Sequence, residues 1–194
     1  MNVSLEERFD RLEAIIRDKK ILFESGYGKE ITSYIFDYDA KYELYVRGKI
    51  EQLKVRINKS TLGVEIKVFD LYNIVIDILK QEGFLEVCYD FEKRYGYYAL
   101  SEAILDLLKI TEGKASLIYN YIKERISDKT IVFLTGVGKC YPILRSHNII
   151  NNLREHLEET PIILFYPGKY DSQRLILFGK IVDDNHYKAK LLVD

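Results

Sequence analysis

The sequence contains few of the residues that hold small folds together through covalent or metal links. Its 194 residues include no tryptophan, two cysteines and three histidines. Cys88 and Cys140 stand far apart and neither belongs to a CxxC motif, which disfavours a structural zinc site and fits a reducing cytoplasm. His147 and His156 would face opposite sides of one helix and could not share an ion. We therefore predict no metal and no cofactor, and a chain of this length can bury roughly 70% of its extended surface without them.

The sequence also lacks an excess of charge of one sign, and it lacks long apolar runs. Lys and Arg total 29 and Asp and Glu total 30, so the formal net charge is −1, and both signs are interspersed. This balance argues against a nucleic-acid grip based on bulk charge, although a local basic patch stays possible. No run approaches the roughly 20 apolar residues of a membrane span. The first residues mix acids with bases and lack the apolar core of a secretory signal, so we expect a cytoplasmic protein with no membrane association.

Buried strands are predicted most clearly between residues 130 and 168. Ile131–Leu134 and Ile162–Tyr166 are continuous apolar runs, which is typical of parallel strands covered by helices on both faces. A glycine-containing loop and a helix-like segment lie between them, so the pattern predicts a right-handed βαβ unit. Ligands of open α/β sheets bind beyond the carboxyl ends of the strands. We therefore expect Gly136–Pro142 and Pro167–Tyr170 to lie side by side on a functional rim.

The first half of the chain carries further amphipathic and apolar patterns. Ser4–Arg17 is a predicted helix with a capping box, which would pack on its own domain or dock on a partner. A second βαβ unit is predicted from strand, helix, strand and helix in succession. Its elements are Ile31–Phe36, Ala40–Ile57, Val64–Phe69 and Leu71–Gln81, the last one capped by Asp70.

A helical insert separates the two pairs of strands. Gly83–Ser127 reads as helices Phe84–Arg94 and Leu100–Leu108 around a bend at Tyr95–Tyr98, followed by a helix at Thr111–Ser127. The pattern fits either a subdomain or one helical layer of the sheet. At the end of the chain, Arg174–Gly179 and Tyr187–Val193 predict a hairpin at the sheet edge, with its turn at residues 183–185.

These elements predict one α/β domain over residues 1–194. We expect three layers, a mostly parallel sheet of Rossmann-like or P-loop-like topology, a helical insert and a C-terminal edge hairpin. The candidate site residues all lie on the predicted rim. They are Gly136, Gly138, Lys139, Tyr141, Pro142, Arg145, His147, Pro167, Gly168, Lys169 and Tyr170.

The glycines of the first rim loop match no complete nucleotide-binding motif. A P-loop requires Ser or Thr after its lysine, but Cys140 follows Lys139. A dinucleotide fingerprint requires a third glycine at the position that Tyr141 occupies. The sequence therefore favours a tight turn in which glycine permits a positive φ over a phosphate-binding loop.

The remaining rim side chains have structural and binding interpretations. Pro142 suits the first turn of the following helix, and Arg145 could bind nearby acids or present its fork to a carboxylate or phosphate. His147 should stay neutral near a helix N-terminus, but no nucleophile is placed to use it as a base. Pro167-Gly168 predicts a sharp turn. The neighbouring aromatic and basic side chains would serve a nucleobase, a phosphate or a protein surface.

Two acidic residues after the first strand also have two interpretations. Asp37 and Asp39 would hold Mg²⁺, or Asp39 would cap the next helix while Asp37 lies in the turn before it. We favour the capping interpretation over the Mg²⁺ site, because no phosphate site is predicted nearby.

The chain resembles the BrxB family of BREX phage-defence systems. The resemblance lies in FLTGVGKCYPILRSHNIINNL, PIILFYPGKY and RLILFGKI, with family-typical residues throughout these segments. These residues are Gly136, Gly138, Tyr141, Pro142, Leu144, Arg145, His147, Leu153, Tyr166, Pro167, Gly168, Leu177, Phe178 and, later, Tyr187. The resemblance implies a cytoplasmic bacterial protein that works beside a PglZ-type phosphatase-like protein, a PglX-type adenine methyltransferase and a BrxC-type ATPase. It implies no catalytic residue.

Together, the residues and the resemblance predict a non-catalytic adaptor that binds other BREX proteins, first of all the PglZ-type protein. The alternative is a nucleotide- or nucleic-acid-binding module. Its charge would come from Lys139, Arg145 and Lys169, and its stacking surface from Tyr166 or Tyr170. A nuclease or hydrolase that uses Asp37 and Asp39 is a third and weaker hypothesis.

Overall fold

In the computed structural model, a mostly parallel sheet lies between two layers of helices. The structure describes residues 3–18, 33–157, 160–171, 174–183 and 189–193. The strands within these ranges are β1 (Ser33–Tyr38), β2 (Glu65–Asp70), β3 (Thr130–Thr135), β4 (Ile162–Tyr170), β5 (Leu175–Leu177), β6 (Ile181–Asp183) and β7 (Lys190–Leu191). The α-helices are α1 (Leu5–Arg17), α2 (Glu43–Arg56), α3 (Lys59–Leu62), α4 (Leu71–Gln81), α5 (Leu85–Leu108), α6 (Leu117–Lys123), α7 (Val137–Cys140) and α8 (Ser146–His156). The predicted three-layer α/β architecture is confirmed.

The parallel part of the sheet has the strand order β2-β3-β4-β1-β7. β3 and β4 are neighbours, with Val132 opposite Ile162, so the predicted βαβ unit around α7 and α8 is confirmed. β1 and β2 are parallel members of the same sheet, but β3 and β4 lie between them. The second predicted βαβ unit is therefore a long crossover rather than a pair of adjacent strands.

Alternate side chains of the central strands enter two separate cores, because successive residues of a strand point to opposite faces of the sheet. Ile131 and Phe133 pack with α1 and α2 on one face. Val132 and Leu134 pack with α4, α6 and α8 on the other. All four side chains are fully buried, which explains the unbroken apolar run in the sequence.

The predicted helix caps are confirmed where they depend on local chemistry. In α1, the Glu7 amide donates to Ser4 Oγ at 3.2 Å and the Ser4 amide donates to Glu7 Oε2 at 2.8 Å. Asp70 Oδ1 accepts from the Asn73 amide at 3.2 Å and caps α4. Asp39 caps a 3-10 turn at Ala40–Tyr42 that leads into α2. The predicted helix from Ala40 therefore begins as a 3-10 turn.

The Pro167-Gly168 pair lies inside a strand, so the predicted sharp turn is wrong. β4 runs through both residues and changes partner between them. Pro167 is the last residue opposite parallel β1, and Gly168 is the first opposite antiparallel β5. A Cβ atom at position 168 would lie 2.1 Å from the carbonyl oxygen of Ile176. Glycine is therefore needed for close approach of two strands and not for a turn.

Three other boundaries differ from the predictions. Pro142 precedes α8 by a full turn of chain, because the helix begins at Ser146. The C-terminal hairpin forms between β5 and β6, whereas β7 pairs in parallel with β1 at the other side of the sheet. Residues 184–188, with the predicted turn and Tyr187, lie outside the described residues, as do residues 31 and 32 of the first predicted strand.

The insert forms one long helix with an internal break and one short helix. α5 is interrupted at Gly96, whose φ is 82° and ψ 171°, inside the predicted bend. The predicted helix Thr111–Ser127 is shorter in the structure. A 3-10 turn at Gly113–Ala115 comes first, and Ser116 then caps α6. α6 and the second half of α5 belong to the same core as α4 and α8, so this part of the insert is a layer on the sheet.

Candidate functional site

The glycine loop after β3 is a tight turn built around Asp70. Gly136 has φ 79°, a conformation that side chains rarely adopt. A Cβ atom there would also lie 2.6 Å from Asp70 Oδ1. Gly136 therefore allows the chain to leave β3 beside the carboxylate that ends β2, and α7 follows directly.

Lys139 is bound to the same carboxylate. Its Nζ donates to Asp70 Oδ2, and the ion pair is partly exposed. Asp70 thus binds two groups at once, because its other carboxylate oxygen caps α4. Lys139 Nζ also lies 5.6 Å from the centre of the Tyr72 ring. These contacts make Lys139 a link between α7 and α4.

The second glycine of the loop packs against the β5–β6 hairpin. A Cβ atom on Gly138 would lie 2.7 Å from Phe178 Cζ and 3.4 Å from Pro167 Cγ. Phe178 adopts φ 54° in the turn between β5 and β6 and leaves much of its ring exposed. The rim loops predicted after β3 and β4 therefore do lie side by side, and a hairpin turn that the sequence did not place joins them.

Arg145 lies at a cavity of about 330 Å³ between the start of α8 and the hairpin. Tyr141, Tyr166 and Asp183 are among the other residues that line it. Tyr141 and Arg145 are exposed, whereas Tyr166 is buried. The cavity therefore offers a cation and an aromatic ring at its mouth and polar groups in its wall.

His147 ties α8 to the hairpin beside this cavity. Its Nδ1 lies 3.1 Å from Asp183 Oδ2, and both side chains are mostly buried. Burial, together with the charge of Asp183 and the nearby Tyr141, raises the pKa of the Tyr166 phenol well above its ordinary value of 10.0. Tyr166 is therefore a neutral hydroxyl at physiological pH.

The second rim loop exposes Lys169 and buries Tyr170. Lys169 lines a cavity of about 410 Å³ with Gly168 and Phe178. The Tyr170 amide donates to Asp37 Oδ2 at 2.9 Å, and its hydroxyl donates to the Ala189 carbonyl at 3.0 Å. With its ring in the core, Tyr170 offers no face on which a base could stack.

A polar link that the sequence did not predict lies beneath this cavity. Arg8 of α1 donates to Asp37 Oδ1 and to the Asp37 carbonyl, each at 2.7 Å, and to the Val193 carbonyl at 3.1 Å. Asp37 lies within β1, so its predicted place in a turn is wrong. The residues of the link are far apart in sequence, and no local pattern signals their contact. Among the described residues, no cluster of three or more metal-binding side chains is found.

The structure brings some candidate residues together and separates others. Tyr141 and Arg145 share one cavity, whereas Lys169 lines another, and Lys139 is held at β2. The cations of the nucleic-acid alternative therefore do not line a common cavity. Besides Lys139 and Lys169, the exposed part of the rim includes an aromatic, proline and arginine surface. We call this surface the rim patch; it comprises Tyr141, Pro142, Arg145, Phe178 and Val182.

Within the part of the chain that the structure describes, no helix is long and apolar enough to cross a membrane.

Comparisons with known proteins give a consistent result. A family model described as BREX protein BrxB matches residues 67–192, which begin within β2 and extend past the end of β7. A BREX protein BrxB of Bacillus cereus (strain H3081.97) is 41% identical over 190 residues, covering 98% of each chain. One of Escherichia coli O9:H4 (strain HS) is 30% identical over 192 residues, covering 97% of this chain and 92% of that protein. No solved structure matches. The chain therefore belongs to the BrxB family, whose members are proteins of the BREX defence system.

Proposed function

We propose that this chain is a non-catalytic accessory subunit that binds another BREX protein through the rim patch. The observation that carries the proposal is the composition of that patch. Tyr141 and Phe178 expose about two fifths of their surface, and Arg145 lies exposed beside Tyr141. Aromatic residues and arginine are enriched in protein interfaces and dominate their binding energy.

The state of the reactive groups near the patch supports binding over catalysis. The Lys139 ammonium is paired with Asp70, and His147 is held by Asp183. Burial, with the nearby charge of Asp70, raises the pKa of the Cys140 thiol to about 12. A thiol with that pKa is protonated at neutral pH and is a poor nucleophile. The rim is thus better suited to present a fixed surface than to transfer a proton or a group.

The partner we propose first is the PglZ-type phosphatase-like protein. The PglX-type methyltransferase and the BrxC-type ATPase are the other candidates within the system. The patch surrounds a cavity of about 330 Å³, so a side chain of the partner could enter between Arg145 and Asp183. A partner carboxylate would pair with the Arg145 fork in two hydrogen bonds.

Co-expression with the PglZ-type protein, followed by size-exclusion chromatography with light scattering, tests the proposal. We expect co-elution at a defined mass ratio for the wild-type chain. Arg145→Glu should weaken the complex by about 2 kcal/mol, or roughly 30-fold in Kd, as expected for a central interface residue. Lys123→Glu is the matched control, because Lys123 is an exposed cation beside the start of β3, at the opposite end of the sheet.

Equal binding by Arg145→Glu and the control, with both variants folded, would contradict a rim interface. Separate elution from all three BREX proteins would contradict the accessory role itself. A DNA duplex titrated into the chain at low and high salt tests the nucleic-acid alternative, since phosphate contacts make binding strongly salt-dependent. Absence of binding at low salt would remove that alternative.

A further inference from the structure

Within the described residues, the outer edge of β2 faces a cavity instead of another strand. β2 has six residues and is the last strand at one end of the parallel sheet, where β3 pairs with one of its edges. A cavity of about 650 Å³ lies along the other edge and is lined by residues 67–70. We call this cavity the edge groove; α2 borders it on one face of the sheet and α4 on the other.

Main-chain groups of β2 point into the edge groove. The Glu65 amide donates to the Lys129 carbonyl at 3.2 Å, so Glu65 faces β3. Because the main-chain groups of successive strand residues point in opposite directions within the plane of the sheet, Val68 and Asp70 face the groove. Among the described residues, no group is hydrogen-bonded to the Val68 amide, the Val68 carbonyl or the Asp70 amide. The edge therefore offers two donors and one acceptor to a further strand.

This edge lies between two walls of helical side chains. Ile50 of α2 lines the groove on the face where Val68 packs. Ile74 and Asp77 of α4 line it on the opposite face. Both helical layers thus continue past the last strand, and the edge is recessed between them. Ile66, just before the open stretch, is only 3% exposed, so the accessible part of the edge is short.

We infer that the edge groove binds an extended segment of another protein, which adds to the sheet as a strand beside β2. The open main-chain groups select this occupant, because an added strand supplies both donors and acceptors to a sheet edge. A helix bonds its own amides and carbonyls internally and could not satisfy the edge. DNA phosphates accept hydrogen bonds but cannot donate one to the Val68 carbonyl.

The recess excludes a second copy of this chain that pairs edge to edge. Neighbouring strands of a sheet lie about 4.7–4.9 Å apart. In a second copy β2 is recessed between the same helices, so side chains of α2 and α4 from the two chains would meet before the edges did. A single extended tail or loop of a partner has no such walls and can enter. The inference is separate from the proposed function, since the edge groove and the rim patch share no residue.

The walls also determine which side chains a bound strand would carry. Alternate residues of a strand face opposite walls. Toward α2 the strand would meet Ile50, which favours an apolar side chain. Toward α4 it would meet Lys67 and Asn73, whose side chains form no hydrogen bond or ion pair with another described residue. Asp77 on this wall already accepts from the Tyr121 hydroxyl at 2.9 Å. We therefore expect a segment in which apolar residues alternate with polar or acidic ones.

Nuclear magnetic resonance of the full chain with a synthetic peptide tests the inference. The probe is a hexapeptide that alternates valine with glutamate, which keeps it soluble. A matched peptide of the same sequence is N-methylated at every residue and cannot donate a main-chain hydrogen bond. Asn73→Trp is the blocking variant, because it places a large ring in the groove from an exposed position of α4. Lys80→Trp is its control, since Lys80 is exposed on the same helix but does not line the groove.

We expect the peptide to slow hydrogen exchange of the Val68 and Asp70 amides by about tenfold or more. The Glu65 amide, already bonded to Lys129, should not change. The N-methylated peptide should have no effect. Asn73→Trp should lose about tenfold or more in affinity for the peptide, whereas Lys80→Trp and Arg145→Glu should bind it as the wild type does.

Two results would overturn the inference and leave the rim proposal standing. One is the absence of peptide binding at millimolar concentration, and the other is binding that leaves exchange at Val68 and Asp70 unchanged. A dimer of the wild-type chain that Asn73→Trp abolishes would also overturn it, since the occupant would then be a second copy.

Discussion

The Arg8–Asp37 link should contribute measurably to stability, and Arg8→Met tests it. The two side chains are only 15% and 14% exposed, and the guanidinium joins α1 to β1 and to the C-terminal end of the chain. Methionine keeps much of the aliphatic stem but removes three hydrogen bonds and the contact of the cation with the Phe36 ring at 4.7 Å. Asp37 would keep the amide of Tyr170 as a donor but lose its counter-ion.

Breaking one side of a buried pair costs about 3–5 kcal/mol. The lower end applies here, because Arg8 Nε has no hydrogen-bond partner among the described residues and the pair retains some solvent contact. We expect Arg8→Met to lower the free energy of unfolding by about 3 kcal/mol, which for a chain of this size corresponds to roughly 6–12 °C in Tm. Urea unfolding measures this free energy. Circular dichroism is the suitable signal, because the chain has no tryptophan whose fluorescence could follow unfolding.

Arg17→Met on the same helix is the matched control. Arg17 is 44% exposed, and its partner Glu13 is also held by Arg56, so the loss should stay within about 0.5 kcal/mol. Asp37→Asn and the double variant complete a cycle whose coupling energy should exceed about 1 kcal/mol. A loss below 1 kcal/mol for Arg8→Met, or no coupling with Asp37→Asn, would refute the reasoning.

Three further outcomes are expected. Gly136→Ala should destabilise the fold by about 2–4 kcal/mol, because it adds backbone strain and displaces the Asp70 cap; a loss under 1 kcal/mol in thermal unfolding would contradict this. Gly48→Ala, with no atom within 4 Å of its Cβ position in the interior of α2, should instead stabilise by about 0.5–1 kcal/mol, and a destabilised variant would contradict the open helical site. In a Cys88→Ala background, Cys140 should resist a thiol reagent at pH 8 until the chain is unfolded, and rapid labelling of the native chain would argue against its burial. Since folding raises the Cys140 pKa from 9.0 to about 12, its stabilising contribution is complete below pH 9 and is lost as the pH rises toward 12.

Features set by neighbouring residues could be predicted from the sequence. The α4 helix is an example, since Asp70 supplies the cap and the apolar spacing of Leu71–Gln81 supplies the buried face. The continuous apolar runs of β3 and β4 likewise identified a sheet covered on both sides. The positive φ of Gly136 agrees with the predicted tight turn after β3, in which glycine permits that conformation.

Features set by distant residues could not be predicted. Strand order depends on where whole elements pack, so the sequence did not place β3 and β4 between β1 and β2. Pro167-Gly168 has the composition of a turn, yet the close carbonyl of Ile176 explains the glycine within a strand. The sequence predicted Tyr170 as a residue on which a base could stack. In the structure its contacts with Asp37 and Ala189 hold it in the core. The Arg8 link joins α1 to Asp37 in β1 and to Val193 near the end of the chain. These residues are far apart in sequence, so no local pattern predicts their contact.

One measurement tests the accessory role most directly. The PglZ-type protein is mixed with the wild-type chain or with its Arg145→Glu variant, and the mass of the assembly is measured by light scattering. We predict a complex that contains both proteins in a defined ratio for the wild-type chain, and a much smaller fraction of that complex for Arg145→Glu at the same concentrations. Separate masses for the wild-type chain and the PglZ-type protein, or an undiminished complex with Arg145→Glu, would contradict the account.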